Sequence, residues 1–180
     1  MSQKIAILRG INVGGHRKIL MADLKMLMQK LGFSKVTSYI QSGNLLFDAP
    51  LESSNSQIKE AIQEGIKKEF LLEIPVIVFD HKMLKKAVAQ NPFYTKDSDV
   101  SKIYLTFLSQ KPTSESLLKI NSFSAEPDQF KIINNYVYLY IDTKYHTTKL
   151  SNTFFEKNLN LTATTRSWKT VLKLLEISNL

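Results

Sequence analysis

The chain has 180 residues, 43% of them hydrophobic and 10% aromatic, which is enough for a folded core and argues against disorder. It contains no cysteine, so a disulfide framework, thiolate catalysis and cysteine metal ligands are excluded. A net charge of +8, from 24 Lys plus Arg against 16 Asp plus Glu, favours phosphorylated ligands, nucleic acid or an acidic partner, although lysines scattered over solvated helix faces explain the same number.

Behind Met1-Ser2-Gln3-Lys4 only a short apolar run follows, well below the length of a signal or transmembrane segment. A soluble, cytoplasmic protein with no membrane partner is the expectation. That run, Ile5-Ala6-Ile7-Leu8, reads as a buried strand. It leads into Arg9-Gly10-Ile11-Asn12-Val13-Gly14-Gly15, where three glycines, an arginine and an asparagine sit at a strand end. Glycines permit positive φ and close approach to a ligand, and the donors beside them suit an anion. A flexible connector into the next helix is the alternative.

Leu20, Leu24, Leu27, Met28 and Leu31 then repeat at helical spacing, and Gly32 supplies a stop. Two short strands, Lys35–Gln41 and Leu45–Phe47, flank Ser42-Gly43-Asn44 and predict a hairpin. Ser54 and Gln57 form a capping-box pattern ahead of a stripe of Ile58, Ala61, Ile62, Ile66 and Phe70. Pro75–Phe79 is a fourth strand. The order β-α-β-β-α-β is that of a ferredoxin-like unit, or alpha-beta plait, over residues 1–79. Its strands are apolar on both faces, so one face meets helices and the other needs a further cover, a second unit or a homodimer partner.

From residue 80 to 180 a second plait-like unit is predicted. Asp80 caps a helix that Asn91-Pro92 ends, and Lys102–Ser109 is a strand. Pro112-Thr113 opens a helix, and Phe130–Ile133 with Val137–Ile141 flank an Asn134-Asn135 turn. Ser151 caps a short helix carrying Phe154, Phe155 and Leu159. Thr165 is read as the cap of a last helix bearing Trp168, Val171, Leu172 and Leu175. The fold class is thus α+β, two ferredoxin-like units packed together.

In a β-α-β-β-α-β plait the first and second strands run the same way. The Arg9–Gly15 loop and Gln41-Ser42-Gly43-Asn44 therefore fall at one end of the sheet. Ala163-Thr164-Thr165-Arg166, taken as a helix start, adds free amides and a guanidinium for an anion, with Lys149 on a basic rim. The plain reading makes Ser42-Gly43-Asn44 a turn and Thr165 a cap.

Other chemistries find little support. Gly10 and Gly15 have the outer spacing of a P-loop, but His16-Arg17 stand where Lys and Ser/Thr are required. His16, His81 and His146 are far apart, and no metal site or cofactor is expected. No G-x-S-x-G elbow is present, and Ser42 as a nucleophile has at most His16 as a base. The first unit lacks the aromatic platform of an RNA-recognition plait. Tyr136, Tyr138 and Tyr140 share a face in the second unit and suit either base stacking or an interface between the halves.

Leu8–Gly15, Tyr39–Asn44 and Ala163–Trp168, with Asn91-Pro92-Phe93 and Thr148–Asn152, resemble a mainly bacterial family catalogued as a domain of unknown function, number 1697. The resemblance covers essentially the whole chain and implies a two-part architecture of plaits. It brings no activity and no catalytic residue. The family's Ser-Lys-Leu, preceded by a glycine turn, is here Thr148-Lys149-Leu150 without glycines.

The reading is a binding module for a phosphate-bearing or other anionic ligand, a nucleotide or nucleic acid. Arg9, Gly10, Asn12, Gly14, Gly15, Gln41, Ser42, Gly43, Asn44, Lys149, Thr164, Thr165 and Arg166 are its candidate binding residues. The alternatives are a metal-independent enzyme on a small anionic substrate, which lacks an obvious general base, and a structural or interaction protein. A structural role predicts Arg9 and Arg166 buried against protein acceptors.

Overall fold

A computed structural model describes residues 1–178. The chain divides into two compact units, Met1–Leu84 joined by the chain end from Leu174, and Lys85–Lys173. Each contains one four-stranded antiparallel sheet packed with helices.

The first unit runs β1 (Ser2–Leu8), α1 (Met21–Lys30), β2 (Ser34–Tyr39), β3 (Asn44–Ala49), α2 (Asn55–Phe70) and β4 (Val76–Phe79). Its sheet order is β2-β3-β1-β4, with β1 between antiparallel β3 and β4, which is the ferredoxin-like plait. The capping box forms as the sequence indicates. Gln57 N–H donates to the Ser54 side chain, and the Gln57 side chain accepts from Ser54 N–H. Leu24, Leu27 and Met28 of α1 join Ile58, Ile62 and Ile66 of α2 over Ala6, Leu8, Leu45, Phe47, Val76 and Val78. On the opposite strand face Ile5, Ile7, Leu46, Ile77 and Phe79 are buried as well. Strands apolar on both faces require that burial, because either face left in water would expose several large side chains.

The second unit repeats the plan. Following α3 (His81–Ala89), it runs β5 (Ile103–Leu108), α4 (Ser114–Asn121), β6 (Gln129–Ile133), β7 (Tyr136–Tyr140), α5 (Asn152–Leu159), β8 (Ala163–Ser167) and α6 (Trp168–Ile177). The order β6-β7-β5-β8 is again that of the plait. Here one sequence-based expectation is corrected. Ala163–Ser167 is a strand and not a helix start, and Thr165 caps nothing. Thr164, Thr165 and Arg166 lie opposite Phe107, Thr106 and Leu105 on β5. Pairing along a whole strand outweighs the local capping tendency of one threonine. The cap of α6 moves to Ser167, whose Oγ accepts from Thr170 N–H at 3.4 Å.

The two plaits share a backbone detail that no residue repeat betrays. The N–H at the end of β1, on Leu8, donates to Gly43 O at 2.8 Å, and the next, on Arg9, donates to Pro75 O at 2.9 Å. In the second unit Leu108 N–H donates to Asn135 O and Ser109 N–H to Thr162 O, both at 2.9 Å. In each unit the end of the first strand is therefore gripped by the residues that lead into its two neighbours. No helix among the described residues is long and apolar enough to cross a membrane.

Gly43 lets that grip close in the first unit. Its φ is +79°, and a Cβ there would stand 2.8 Å from Leu8 Cβ and 2.9 Å from Ile11 Cδ1. Gly43→Ala is expected to cost about 2–4 kcal/mol, combining left-handed strain with overlap against buried side chains. Urea denaturation checks this, and an unchanged midpoint would show that the approach is looser than described.

Candidate functional site

The segment after β1 folds into a miniature hairpin. His16 N–H donates to Val13 O at 3.1 Å and Asn12 N–H to Arg17 O at 3.3 Å. Between them Gly14 and Gly15 have φ of +59° and +77°. Two consecutive positive φ values make a two-residue turn of the type whose twist matches antiparallel strands. The Gly-Gly pair is thus explained by the turn, which displays Val13, Gly14, Gly15, His16, Arg17 and Lys18 to solvent.

Asn12 fastens this hairpin to the body of the unit. Its Nδ2 donates to Ile19 O at 2.9 Å and to Gln41 O at 3.0 Å, while its Oδ1 accepts from Ile19 N–H at 2.9 Å. The first-strand loop and the β2–β3 hairpin, some thirty positions apart, do meet at one end of the sheet. Asn44 is fully buried, and its Nδ2 donates to Tyr39 O at 3.0 Å and Ser42 Oγ at 3.1 Å. Asn12 and Asn44 thus direct their amide donors at the protein, so they shape the two loops. Arg9 is half-buried at the end of β1, Gly10 is exposed, Ser42 is half-buried and Gly43 is buried.

Beside the hairpin lies a shallow concavity of about 280 Å³ lined by Asn12, Gly15, Lys18, Ile19, Leu20 and Gln41. Lys18 makes no ion pair among the described residues, and the Gln41 side chain and the Gly14 and Gly15 N–H groups have no hydrogen-bond partner there. The lining contains no carboxylate and no imidazole, so it offers no ordinary general base. Two larger clefts hold none of the candidate binding residues. One, of about 450 Å³, is lined by Arg17, Gln63, Glu64, Lys67 and Glu73 among others; one, of about 430 Å³, sits against α4 and α5. In each a lysine is already matched to a carboxylate, Lys67 to Glu73 and Lys119 to Glu115, both at 2.7 Å.

Lys149, Thr164, Thr165 and Arg166 belong to the second unit, where three of the four are built into its frame. Thr165 Oγ1 lies 2.7 Å from Thr106 Oγ1 and donates to Asn152 Oδ1 at 2.7 Å, tying β8 to β5 and to the start of α5. Thr164 is buried, and Lys149 is exposed. Arg166 is 9% exposed, with Nη1 donating to Thr165 O at 3.0 Å. Burial pushes its guanidinium down to about 10, with Tyr145 nearby opposing the shift. An arginine held against a carbonyl in the interior matches what a structural role predicts for that position. Tyr138 is likewise fully buried, and its hydroxyl donates to Ala87 O at 2.8 Å, so it is no stacking platform.

Sequence reasoning missed Lys18 and Asp128. Lys18 stands three residues after Gly15, at the end of the His16-Arg17-Lys18 run that follows the glycine pair. Asp128 carries no motif. It is 5% exposed, and Oδ1 accepts from Asp142 N–H at 2.9 Å and Thr143 N–H at 3.1 Å. The Thr143 and Thr148 hydroxyls complete its shell. Burial disfavours the charge, but the hydrogen bonds from Thr148, Thr143 and Asp142 outweigh it and hold the carboxyl below its ordinary value. The loop that lacks glycines is thus organised by a carboxylate.

These placements generate two expected outcomes. Asn12→Ala removes three hydrogen bonds to backbone groups and should cost about 1–3 kcal/mol, with faster hydrogen exchange at Ile19 N–H. Unaltered exchange there would show that the hairpin stands without its side-chain anchor. For Asp128, a lowered folded pKa means a stabilising contribution complete above about pH 4, the unfolded value, and lost as pH falls through the folded one. Asp128→Asn should therefore be less stable than wild type at neutral pH, and the gap should close on acidification. A gap constant down to pH 2 would contradict the assignment.

The family model described as "Protein of unknown function (DUF1697)" matches residues 1–138. A solved structure described as that of the conserved bacterial protein SP0830 from Streptococcus pneumoniae is similar to this chain. Its TM-score is 0.78 at 20% identity, and the alignment covers 98% of each chain. At that identity the likeness shows the fold alone. No curated protein matches the chain.

Proposed function

The chain belongs to the DUF1697 family, whose description assigns no reaction, and from the geometry of its first unit we propose that it binds a phosphate-bearing ligand at the glycine hairpin. The observation that carries the reading is Lys18. It is an exposed cation without an ion-pair partner among the described residues, and it lines the same concavity as Gly15 and Gln41. Gly14 and Gly15 N–H groups at the turn supply uncharged donors beside it. Backbone amides grouped in a left-handed turn favour an anion, and one lysine adds the charge that makes the contact strong.

Asn12 supports the proposal indirectly. Binding costs less when the donors are already ordered, and its three hydrogen bonds to backbone groups hold the hairpin in place before any ligand arrives. The chain's net charge of +8 would draw anions to the surface generally. A concavity without carboxylate or imidazole favours binding over catalysis, because a proton acceptor is the first thing a metal-independent enzyme of this kind needs.

Ribose 5-phosphate is a suitable probe. Its titration at low salt should shift the NMR amide signals of Gly14, Gly15 and Lys18, and Lys18→Glu should weaken binding by about tenfold or more. Absence of shifts in wild type, or equal affinity in the variant, would overturn the proposal.

A further inference from the structure

Beyond the hairpin reading, we infer that the cleft of about 450 Å³ in the first unit is a second ligand site, which takes a zwitterion with an apolar body, an apolar amino acid either free or in a dipeptide. Arg17 and Glu64 both line it, one from the loop after β1 and the other from α2. Neither side chain has an ion-pair or hydrogen-bond partner among the described residues. The other two charged groups of the lining, Lys67 and Glu73, are 2.7 Å apart and satisfy each other. One cleft thus presents one uncommitted guanidinium and one uncommitted carboxylate. The molecule that completes both carries one charge of each sign.

Arg17 is the stronger of the two observations. Its φ is +48°, in the left-handed region that side-chain-bearing residues seldom occupy. The guanidinium lies against the start of its own loop, Nη1 being 3.5 Å from where a Cβ on Gly10 would stand. The position thus combines backbone strain with a charge left without a partner among the described residues. A strained residue that also presents an unpaired charge to a cleft is accounted for by what it contacts when a ligand is present. The planar fork of a guanidinium fits a carboxylate through two parallel hydrogen bonds.

The rest of the wall supplies the apolar part. Ile74 and Pro75 line the cleft where the chain enters β4. Gln63, the residue before Glu64, holds that segment to α2, its Nε2 donating to Ile74 O at 3.4 Å. The volume falls within the ~300–1,000 Å³ of small-molecule sites. The cleft against α4 and α5 in the second unit shows that the opposed charges are particular to this place. It too lies between the segment after a first strand and the C-terminal half of a second plait helix. Its lysines without an ion pair among the described residues, Lys111 and Lys157, are both cations, and the carboxylate of its lining, on Glu115, is taken by Lys119. An ammonium group has no receiver there.

The test titrates L-leucine into the full chain at low salt, followed by NMR, beside L-leucinamide, which lacks the carboxylate, and isocaproate, which lacks the ammonium. Leucine should shift the amide signals of Arg17, Glu64 and Ile74 and bind wild type about fivefold or more tighter than either analogue. Both charged residues are exposed, so Arg17→Gln and Glu64→Gln should fold as wild type does. Arg17→Gln should weaken leucine and leave L-leucinamide unchanged. Glu64→Gln should weaken leucine and leave isocaproate unchanged. Leucyl-leucine is the further arm: tighter binding than leucine assigns the site to a dipeptide, and equal or weaker binding to the free amino acid. Leucine bound no better than its analogues, or either variant discriminating among the three as wild type does, would sink the zwitterion site. So would the absence of shifts with leucine and leucyl-leucine at about 10 mM. Phosphate binding at the hairpin would survive that failure, because neither Arg17 nor Glu64 lines the concavity of Lys18.

Discussion

The side-chain amide of Asn12 is the contact on which the proposed site depends. By taking Ile19 N–H and O together with Gln41 O, it joins three stretches of chain. An amide is well suited to this because one planar group supplies donors and an acceptor in fixed relation. Asn12 itself has a φ of +57°, a conformation that asparagine tolerates better than most residues. The hairpin tip thus owes its position to a side chain that then has its donors committed, and the groups left for a ligand are its neighbours.

A parallel arrangement holds in the second unit, with a carboxylate in place of the amide. Asp128 gathers Asp142, Thr143 and Thr148 around one buried charge, and Ser151 then caps α5 while Asn152 accepts from Thr165. Thr148, Ser151 and Asn152 fall within one short stretch whose residues each anchor a different piece of the unit. Motifs that look like a donor set for an anion are here largely used in holding loops against sheets. A buried charge needs several hydrogen bonds to be tolerated, and Asp142, Thr143 and Thr148 supply them to Asp128.

How far the candidate site was legible varies with the residue. The meeting of the Arg9–Gly15 loop with the Gln41–Asn44 hairpin followed from strand order, because a plait sends its first and second strands the same way. The roles inside that meeting did not follow. Asn12 and Asn44 bond to protein, Gly14 and Gly15 make a turn, and Lys18 faces the concavity. Residue types at a strand end name possible partners, but register and loop closure choose among them. The segment Ala163–Ser167 shows the same limit. Threonines before a tryptophan-bearing helical stripe fit a cap, and only the open edge of β5 turns them into a strand.

By itself, then, the sequence determined the order of elements in the first plait, the apolar character of both its strand faces, and the caps at Ser54, Asp80 and Ser151. These depend on periodicity and on hydrogen bonds within three or four residues, which local chemistry specifies. Only the tertiary structure decided that β8 exists, that Arg166 is buried against a carbonyl, that Asp128 orders a loop fourteen or more residues away, and that Lys18 lines a concavity with Gly15 and Gln41. Each of those outcomes turns on which distant backbone a side chain meets, and that is set by packing the whole unit.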